Sequence, residues 1–336
     1  MRIGSAYIEI TNRCNLNCST CYNRSGLNVE TCELSAESIK GITERLHLYE
    51  CHTFTFSGGE PFLHSEIDKL LSFVSASQED QFSFVTNGTL ITKYHINQMA
   101  SFRNIWIQVS LDGANEESNA YIRGAGSFDK ALSSIQGIVE AGIPCTAKMV
   151  ITHANIGDIE RYYRLIEGCG AIPTFGFVVQ QGNSRLGWDQ KGLTVEEKIA
   201  AIDTIRRLND ETGLAVELLG CAYSCPLINS EEIMHILVKS NGAIQPCQSL
   251  YDDAYCIGSV AQFSEKEIEE GMTKLAELVE KRKGRDFGCE RCFLQESCDH
   301  GCPAMAMQQS GSILGDDGDC MMRKANRLKE LRNKYL

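Results

Sequence analysis

The segment "EITNRCNLNCSTCYN" places Cys14, Cys18 and Cys21 with gaps of three and two residues, just after a short apolar run. Three thiols this close invite a metal, and their number narrows the chemistry. A cubane [4Fe–4S] cluster takes four ligands, normally all cysteine, so three cysteines leave one iron open to a ligand that is not protein. A catalytic zinc keeps a position free in the same way. Structural zinc, the competing reading, wants a fourth cysteine or histidine nearby. The nearest histidines are His47, His52 and His64, in helix- and strand-like segments where a lone histidine is more often core or surface than ligand.

A second group lies near the other end. "CERCFLQESCDHGC" holds Cys289, Cys292, Cys298 and Cys302 with gaps of two, five and three residues, and Cys320 follows after 17 more. Cysteine occupies 16 of 336 positions. At that density the four-cysteine pattern arises by chance with a probability of about 0.002, the three-cysteine one of about 0.04. Scattered, reduced cysteines would pack as small hydrophobes. Patterned ones, in a chain whose start "MRIGSAYIEI" lacks a signal-peptide core, read as metal ligands before disulfides.

Hydrophobic residues make up 43% and charged residues 23%, as in an ordinary soluble protein with a sizeable core. No apolar run is long enough to span a bilayer, so a cytoplasmic protein without a membrane partner is expected. The net charge of −12 disfavours nucleic acid.

The elements that must position these thiols alternate. Strand candidates "AYIEI", "TFTFS", "QFSFVT", "IWIQVS", "CTAKMVIT" and "TFGFVVQ" are separated by helical patterns. After Ser35, Ile39, Ile42, Leu46 and Tyr49 recur at helical spacing. "TVEEKIAAIDTIRRLNDETG" opens with a capping box, Thr194 and Glu197, and predicts Val195, Ile199, Ile202 and Ile205 on one face. Six β-α units imply an α/β fold with a parallel sheet, open and doubly wound or curved as a partial barrel. That pattern stops near Gly213. Residues 214–320 instead predict a hairpin, "IMHILVKSNGAIQPC", turning at Asn241-Gly242, then a helix from Ser264 and cysteine-rich loops. A helix over 321–336 closes the chain. The expected units are thus 1–213, 214–320 and 321–336.

Parallel α/β sheets bind ligands at the carboxyl ends of their strands, and the three cysteines follow the first strand at such an end. The second strand runs into "SGGEP" (Ser57 to Pro61), the third into "TNG" (Thr86 to Gly88), the fourth into "SLDG" (Ser110 to Gly113). Paired glycines let backbone approach a ligand, and a carboxylate beside them accepts from an ammonium group. Any one of these ends reads as an ordinary turn. Four on one rim predict a site.

"CNLNCSTC" followed by "SGGEP" resembles the radical S-adenosylmethionine (radical SAM) superfamily, whose CX3CX2C signature follows the first strand of a partial (β/α)6 TIM-like barrel. The resemblance covers essentially the whole chain. It implies that Cys14, Cys18 and Cys21 hold a [4Fe–4S] cluster whose open iron is chelated by S-adenosylmethionine, and that Gly58, Gly59 and Glu60 bind the methionine amino end. Ser110, Asp112 and Arg123, in "SLDG…YIRG", match cofactor and active-site positions, with Asn155 and Arg185 as later ones. One departure is Thr20, where the family usually has an aromatic residue; Tyr22 stands next to Cys21.

The C-terminal pattern resembles the SPASM subgroup, which carries two auxiliary [4Fe–4S] clusters. "GAIQPC", Gly242 to Cys247, is its GX4C element, preceded by Cys221 and Cys225. The resemblance assigns Cys221, Cys225, Cys247 and Cys302 to the first auxiliary cluster, and Cys289, Cys292, Cys298 and Cys320 to the second. Cys302 and Cys320 would therefore serve different clusters. Cys32, Cys51, Cys145, Cys169 and Cys256 remain as buried or incidental thiols, with Cys256 also weighed as a ligand or reactive thiol.

The implied activity is reductive cleavage of S-adenosylmethionine to a 5′-deoxyadenosyl radical, with an electron supplied by a flavodoxin or ferredoxin. Fully ligated auxiliary clusters have no vacancy for substrate, so their expected task is electron transfer. SPASM enzymes mostly modify ribosomally made peptides, and oxidative crosslinking, thioether or carbon–carbon, is the expectation here. Sulfatase-type serine or cysteine oxidation, tetrapyrrole side-chain chemistry and a non-catalytic electron carrier are the alternatives. Because the chain begins at its first strand, a peptide would bind the barrel rim or arrive with a separate peptide-binding partner. Anaerobic sulfatase-maturating enzymes carry an aspartate after the hairpin cysteine; here that residue is Gln248, with Asp252 and Asp253 beyond.

Overall fold

The computed structural model describes residues 2–26, 30–219, 232–262, 264–283, 289–295, 298 and 300–335. The six expected strands form: β1 (Arg2–Thr11), β2 (Thr53–Gly58), β3 (Gln81–Thr86), β4 (Ile105–Ser110), β5 (Cys145–Ile151) and β6 (Ile172–Phe177). Each pairs in parallel with the next, and a short β7 (Leu218–Leu219) extends the ladder beyond β6. This is the parallel sheet of a partial β/α barrel.

Register aligns two faces along this sheet. Ile8, Phe56, Phe84, Ile107 and Ala147 share one face and are fully buried. Facing phenylalanines pack there at 5.4–5.6 Å, as in Phe54–Phe82 and Phe56–Phe84. The alternate positions are polar: Tyr7 and Glu9, Thr55 and Ser57, Gln108 and Ser110, Thr146 and Lys148. Parallel strands covered on both sides usually read apolar throughout. A polar inner face therefore marks the interior as a place for chemistry.

The helices between strands are α1 (Ala36–Leu46), α2 (Ile67–Ala76), α3 (Lys93–Met99), α4 (Glu116–Arg123), α5 (Phe128–Glu140), α6 (Ile159–Gly168), α7 (Trp188–Lys191) and α8 (Val195–Thr212). Ser35 caps α1 by accepting from the Ser38 amide, and Ile39, Ile42 and Leu46 face the sheet. Both arms of the Thr194–Glu197 capping box form on α8, and Gly213 ends it in the left-handed region. The buried stripe of α8 departs from expectation. Lys198, Ala201, Ile202, Ile205 and Leu208 are buried, while Val195 and Ile199 are only half-buried. Lys198 turns inward because its ammonium meets Asp319 at 2.6 Å.

The hairpin forms as β8 (Glu232–Val238) and β9 (Ala243–Gln245), with Asn241-Gly242 at the turn. Beyond expectation, β8 also lies parallel to β1, from Arg2 opposite Glu232 to Ile8 opposite Val238. With β10 (Gly258–Ser259) paired to β9, the sheet order is β10-β9-β8-β1-β2-β3-β4-β5-β6-β7. Three further helices follow: α9 (Glu265–Lys283), near its expected start, then α10 (Pro303–Ser310) and α11 (Cys320–Tyr335). Cys221 and Cys225 lie outside the described residues. Among the described residues, no helix is long and apolar enough to cross a membrane.

Candidate active site

The loop leaving β1 carries the three cysteines across the carboxyl ends of the strands, fastened from several directions. Gly59 and Glu60 donate backbone N–H groups to the Thr11 and Arg13 carbonyls at 2.7 Å, and Ser19 donates to Ile122 at 2.8 Å. Asn183 donates to the Cys21 carbonyl at 2.8 Å, and the Lys191 ammonium to that of Ser19 at 3.0 Å. Glycine is needed where these backbones meet: a Cβ on Gly59 would lie 1.9 Å from the Arg13 oxygen. At Gly182, in the left-handed region, it would lie 2.2 Å from the Cys21 oxygen.

Cys14 is buried, and Cys18 and Cys21 are half-buried. The Cys14 sulfur accepts from the Leu16 amide at 3.5 Å and from Asn87 Nδ2 at 3.8 Å, and the Cys18 sulfur from Arg123 Nη1 at 3.9 Å. Burial pushes the Cys14 thiol up to about 12 and the Cys18 thiol up to about 11. As thiolates they need a cation to replace the protons, which is what a metal centre provides.

Glu60 is fully buried with its oxygens engaged: Oε1 accepts from the Phe62 amide at 3.1 Å and Thr86 Oγ1 at 2.7 Å, Oε2 from the Asn87 amide at 2.8 Å. It thereby ties the ends of β2 and β3 together beside the thiols. Asp112 is fully buried; its Oδ2 lies 2.7 Å from Arg123 Nε, and its Oδ1 accepts from the Val150 amide at 2.7 Å. Burial raises the Asp112 carboxyl and Arg123 opposes the rise. Asn155 braces the same corner, donating to the Asp112 and Val150 carbonyls at 2.8 and 3.0 Å. Arg123 thus joins a buried carboxylate to the Cys18 sulfur.

Ser110 lies opposite Lys148 on the polar inner face. Burial pulls the Lys148 ammonium down to about 8, with Asp112 opposing. The unfolded chain therefore binds more protons than the folded one between about pH 8 and pH 10.5, and this group's contribution to stability rises with pH across that window. Lys148→Met is expected to raise the thermal midpoint at pH 7, the gain shrinking as pH climbs through the window. A pH-independent gain, or none, would exclude Lys148 as the cause.

Glu9, unremarked in the sequence, is a buried carboxyl of the inner face. Tyr22 and Asn23 donate to its Oε1 at 2.9 and 3.2 Å, and Tyr251 to Oε2 at 2.7 Å. Burial raises the carboxyl and these donors oppose it. Tyr22 and Tyr251 also line a cleft over the rim, with Arg24, Gln181, exposed Arg185 and Gln308. Both the barrel and the C-terminal segment build its walls. The signal in the sequence was the lone glutamate within the apolar strand "YIEI".

The C-terminal thiols form two groups. Cys289, Cys292, Cys298 and Cys320 line one cavity together with Arg323. Cys302 sits apart, and after burial it is the charge that most affects Cys247, whose thiol is pushed up to about 11. Asp317 accepts from the Cys302 amide at 2.8 Å and pairs with Arg323 at 2.7 Å. Of the remaining cysteines, Cys51 and Cys145 are buried, Cys32 and Cys169 half-buried, and Cys256 exposed. The Cys256 thiol donates to the Gly258 carbonyl at 3.1 Å.

Comparison with known proteins agrees with this geometry. The mycofactocin maturase MftC of Mycolicibacterium smegmatis is 26% identical over 322 residues, covering 93% of this chain and 81% of that one. The Fe-coproporphyrin III synthase of Methanosarcina barkeri is 27% identical over 359 residues, covering 94% and 87%. Native anSMEcpe with bound AdoMet and Cp18Cys peptide superposes with a TM-score of 0.77 at 18% identity, covering 100% of both chains. Residues 8–166 match the family described as the Radical SAM superfamily. Within that span the chain carries a radical SAM domain.

Proposed function

We propose that this enzyme cleaves S-adenosylmethionine reductively and oxidatively crosslinks a ribosomally made peptide, through a thioether or carbon–carbon bond. The observation that carries the reading is the cysteine trio on the β1 loop, buried or half-buried and flanked by Asn87 and Arg123. Cys14, Cys18 and Cys21 would hold a [4Fe–4S] cluster. Bound there with S-adenosylmethionine, it supplies a radical able to remove hydrogen from an unactivated carbon. The Gly58-Gly59-Glu60 turn, Ser110, Asp112, Arg123, Asn155 and Arg185 are proposed to position the cofactor and substrate.

The chain's own residues contribute orientation, exclusion of water and a place for the proton. Asn87 and Arg123 hold donors toward the sulfurs, and the Asp112 carboxylate fixes the Arg123 guanidinium. Tyr251 touches both the cleft and Glu9, so Glu9 Oε2 is where a proton passed from the cleft would rest. The proposed units are a barrel over 1–213, an auxiliary-cluster unit over 214–320 and a closing helix over 321–336. Two auxiliary [4Fe–4S] clusters, one on Cys221, Cys225, Cys247 and Cys302 and one on Cys289, Cys292, Cys298 and Cys320, would accept the second electron. A flavodoxin or ferredoxin would deliver the first. The test is anaerobic incubation of reduced enzyme with S-adenosylmethionine and a cysteine-containing precursor peptide. The expected product lacks two hydrogen atoms and forms with 5′-deoxyadenosine; a peptide unchanged in mass with every precursor offered would refute the reading.

Sulfatase-type oxidation is disfavoured by Gln248, because an amide is no general base near neutral pH. Its neighbours are engaged: Asp252 caps the Ala254 amide at 2.9 Å and Asp253 pairs with Lys239 at 2.9 Å. A sulfatase-motif peptide should yield no formylglycine with the parent enzyme and a measurable amount with Gln248→Asp. Formylglycine from the parent at a useful rate would defeat this. A second reading, tetrapyrrole side-chain chemistry, is supported by Arg24 and Arg185 in the cleft, which suit propionate groups, and by the likeness to the Fe-coproporphyrin III synthase. Coproporphyrin, rather than a peptide, would then stimulate 5′-deoxyadenosine formation.

A further inference from the structure

At the opposite end of the barrel, three side chains that the cofactor chemistry does not use converge. His47 caps the C-terminus of α1, His52 directly precedes β2, and Asp80 directly precedes β3. His47 Nε2 lies 2.9 Å and His52 Nδ1 lies 3.0 Å from the same oxygen, Asp80 Oδ1. The two imidazoles stack, with centroids 4.8 Å apart and planes 19° from parallel. Among the described residues this is the sole trio of potential metal ligands whose donor atoms all lie within 4.8 Å of one another. The sequence offered these histidines only as remote alternatives for the cysteine site.

We propose that His47, His52 and Asp80 bind one divalent transition-metal ion through two nitrogens and one oxygen, with water filling the remaining positions. Ligands about 2.1 Å from a metal and at right angles to each other are about 3.0 Å apart, against about 3.4 Å in a tetrahedron. The two separations from Asp80 Oδ1, 2.9 and 3.0 Å, equal the right-angled value, which suits an octahedral or tetragonal ion such as Ni2+, Co2+ or Fe2+. The site is open on one side, as the His47 and His52 side chains keep 35% and 46% of their exposure while Asp80 keeps 5%. It is also held in place. Asn104 Nδ2 donates to the carbonyls of Ser77 and Asp80 at 2.7 and 3.1 Å, and the Gln81 amide to that of His52 at 2.8 Å. Cys51, next to His52, does not compete. Its buried thiol turns to the Thr53 carbonyl, and burial pushes it up to about 11.

An ion here would staple α1, β2 and β3 at the amino ends of the strands, the face that serves stability in barrels of this kind. Strand length separates it from the cysteine loop by on the order of 20 Å. Without an ion, the same atoms make two hydrogen bonds to one carboxylate, so the experiment must separate these states. Ni2+ added at one equivalent to the anaerobic, cluster-loaded enzyme should bind with a nearest shell of nitrogen and oxygen, including imidazole scattering, in X-ray absorption. It should also raise the thermal midpoint. Asp80→Asn and the His47→Gln/His52→Gln pair should each weaken binding by about 10–100-fold or more, since a direct ligand matters at least as much as its outer partners. Iron content and 5′-deoxyadenosine formation should stay unchanged. No bound nickel, a sulfur shell around it, or equal affinity in the variants would overturn the proposal. The absorption spectrum of the parent decides even where a variant folds poorly.

Discussion

Replacing Cys14, Cys18 and Cys21 together with alanine should abolish 5′-deoxyadenosine formation and remove about four of about 12 irons from the anaerobically reconstituted enzyme. The remaining irons report on the C-terminal thiols, which line a separate cavity and pair independently of the β1 loop. The fold should survive, because the loop is fastened by backbone groups of Thr11, Arg13, Ser19 and Cys21 that the substitutions leave intact. A triple variant that still cleaves S-adenosylmethionine would remove the foundation of the proposed function. Full loss of iron would show that the three centres assemble only together.

The second large effect concerns the fold around that loop. Asp112→Asn should cost about 3–5 kcal/mol of stability, because it leaves the Arg123 guanidinium buried without its counter-charge. Arg123→Leu should cost a comparable amount by stranding the fully buried carboxylate. Replacing both with apolar residues should cost less than the sum, since neither charge is then orphaned. Denaturant titration of the single and double variants gives the coupling directly. Additive costs would mean that the 2.7 Å contact does little more than fill space. Only Arg123 reaches the Cys18 sulfur, so its replacement should also slow cofactor cleavage more than that of Asp112.

What could be read from the chain and what could not follows the range of the forces involved. The six strands, the helical pattern after Ser35 and the capping box at Thr194 are local features, and each stands where its residues foretold. The cavity that gathers Cys289, Cys292, Cys298 and Cys320 draws Cys320 across 21 residues of chain from Cys298, a distance no local pattern spans. Lys198 broke the helical pattern because a distant partner, Asp319, draws it inward. Glu9 and Lys148 were present as single polar residues in apolar strands, but their meaning depends on which face lines the interior. That in turn depends on strand register, which no short window contains. The pairing of His47 and His52 with Asp80 is of the same kind, since Asp80 reaches them only once β2 and β3 lie side by side.

The strand β8 gives the molecule a mechanical unity that its composition hides. β1, from which the cysteine loop springs, has β2 on one edge and β8 on the other, so the wall behind the loop is completed by residues more than 200 positions downstream. A chain ending at residue 213 would leave that edge of β1 bare, inviting pairing with other molecules. Halves exchanged between relatives would have to carry β8 with its own β1, or the loop would lose its backing. Modularity, in this protein, stops at a shared strand edge.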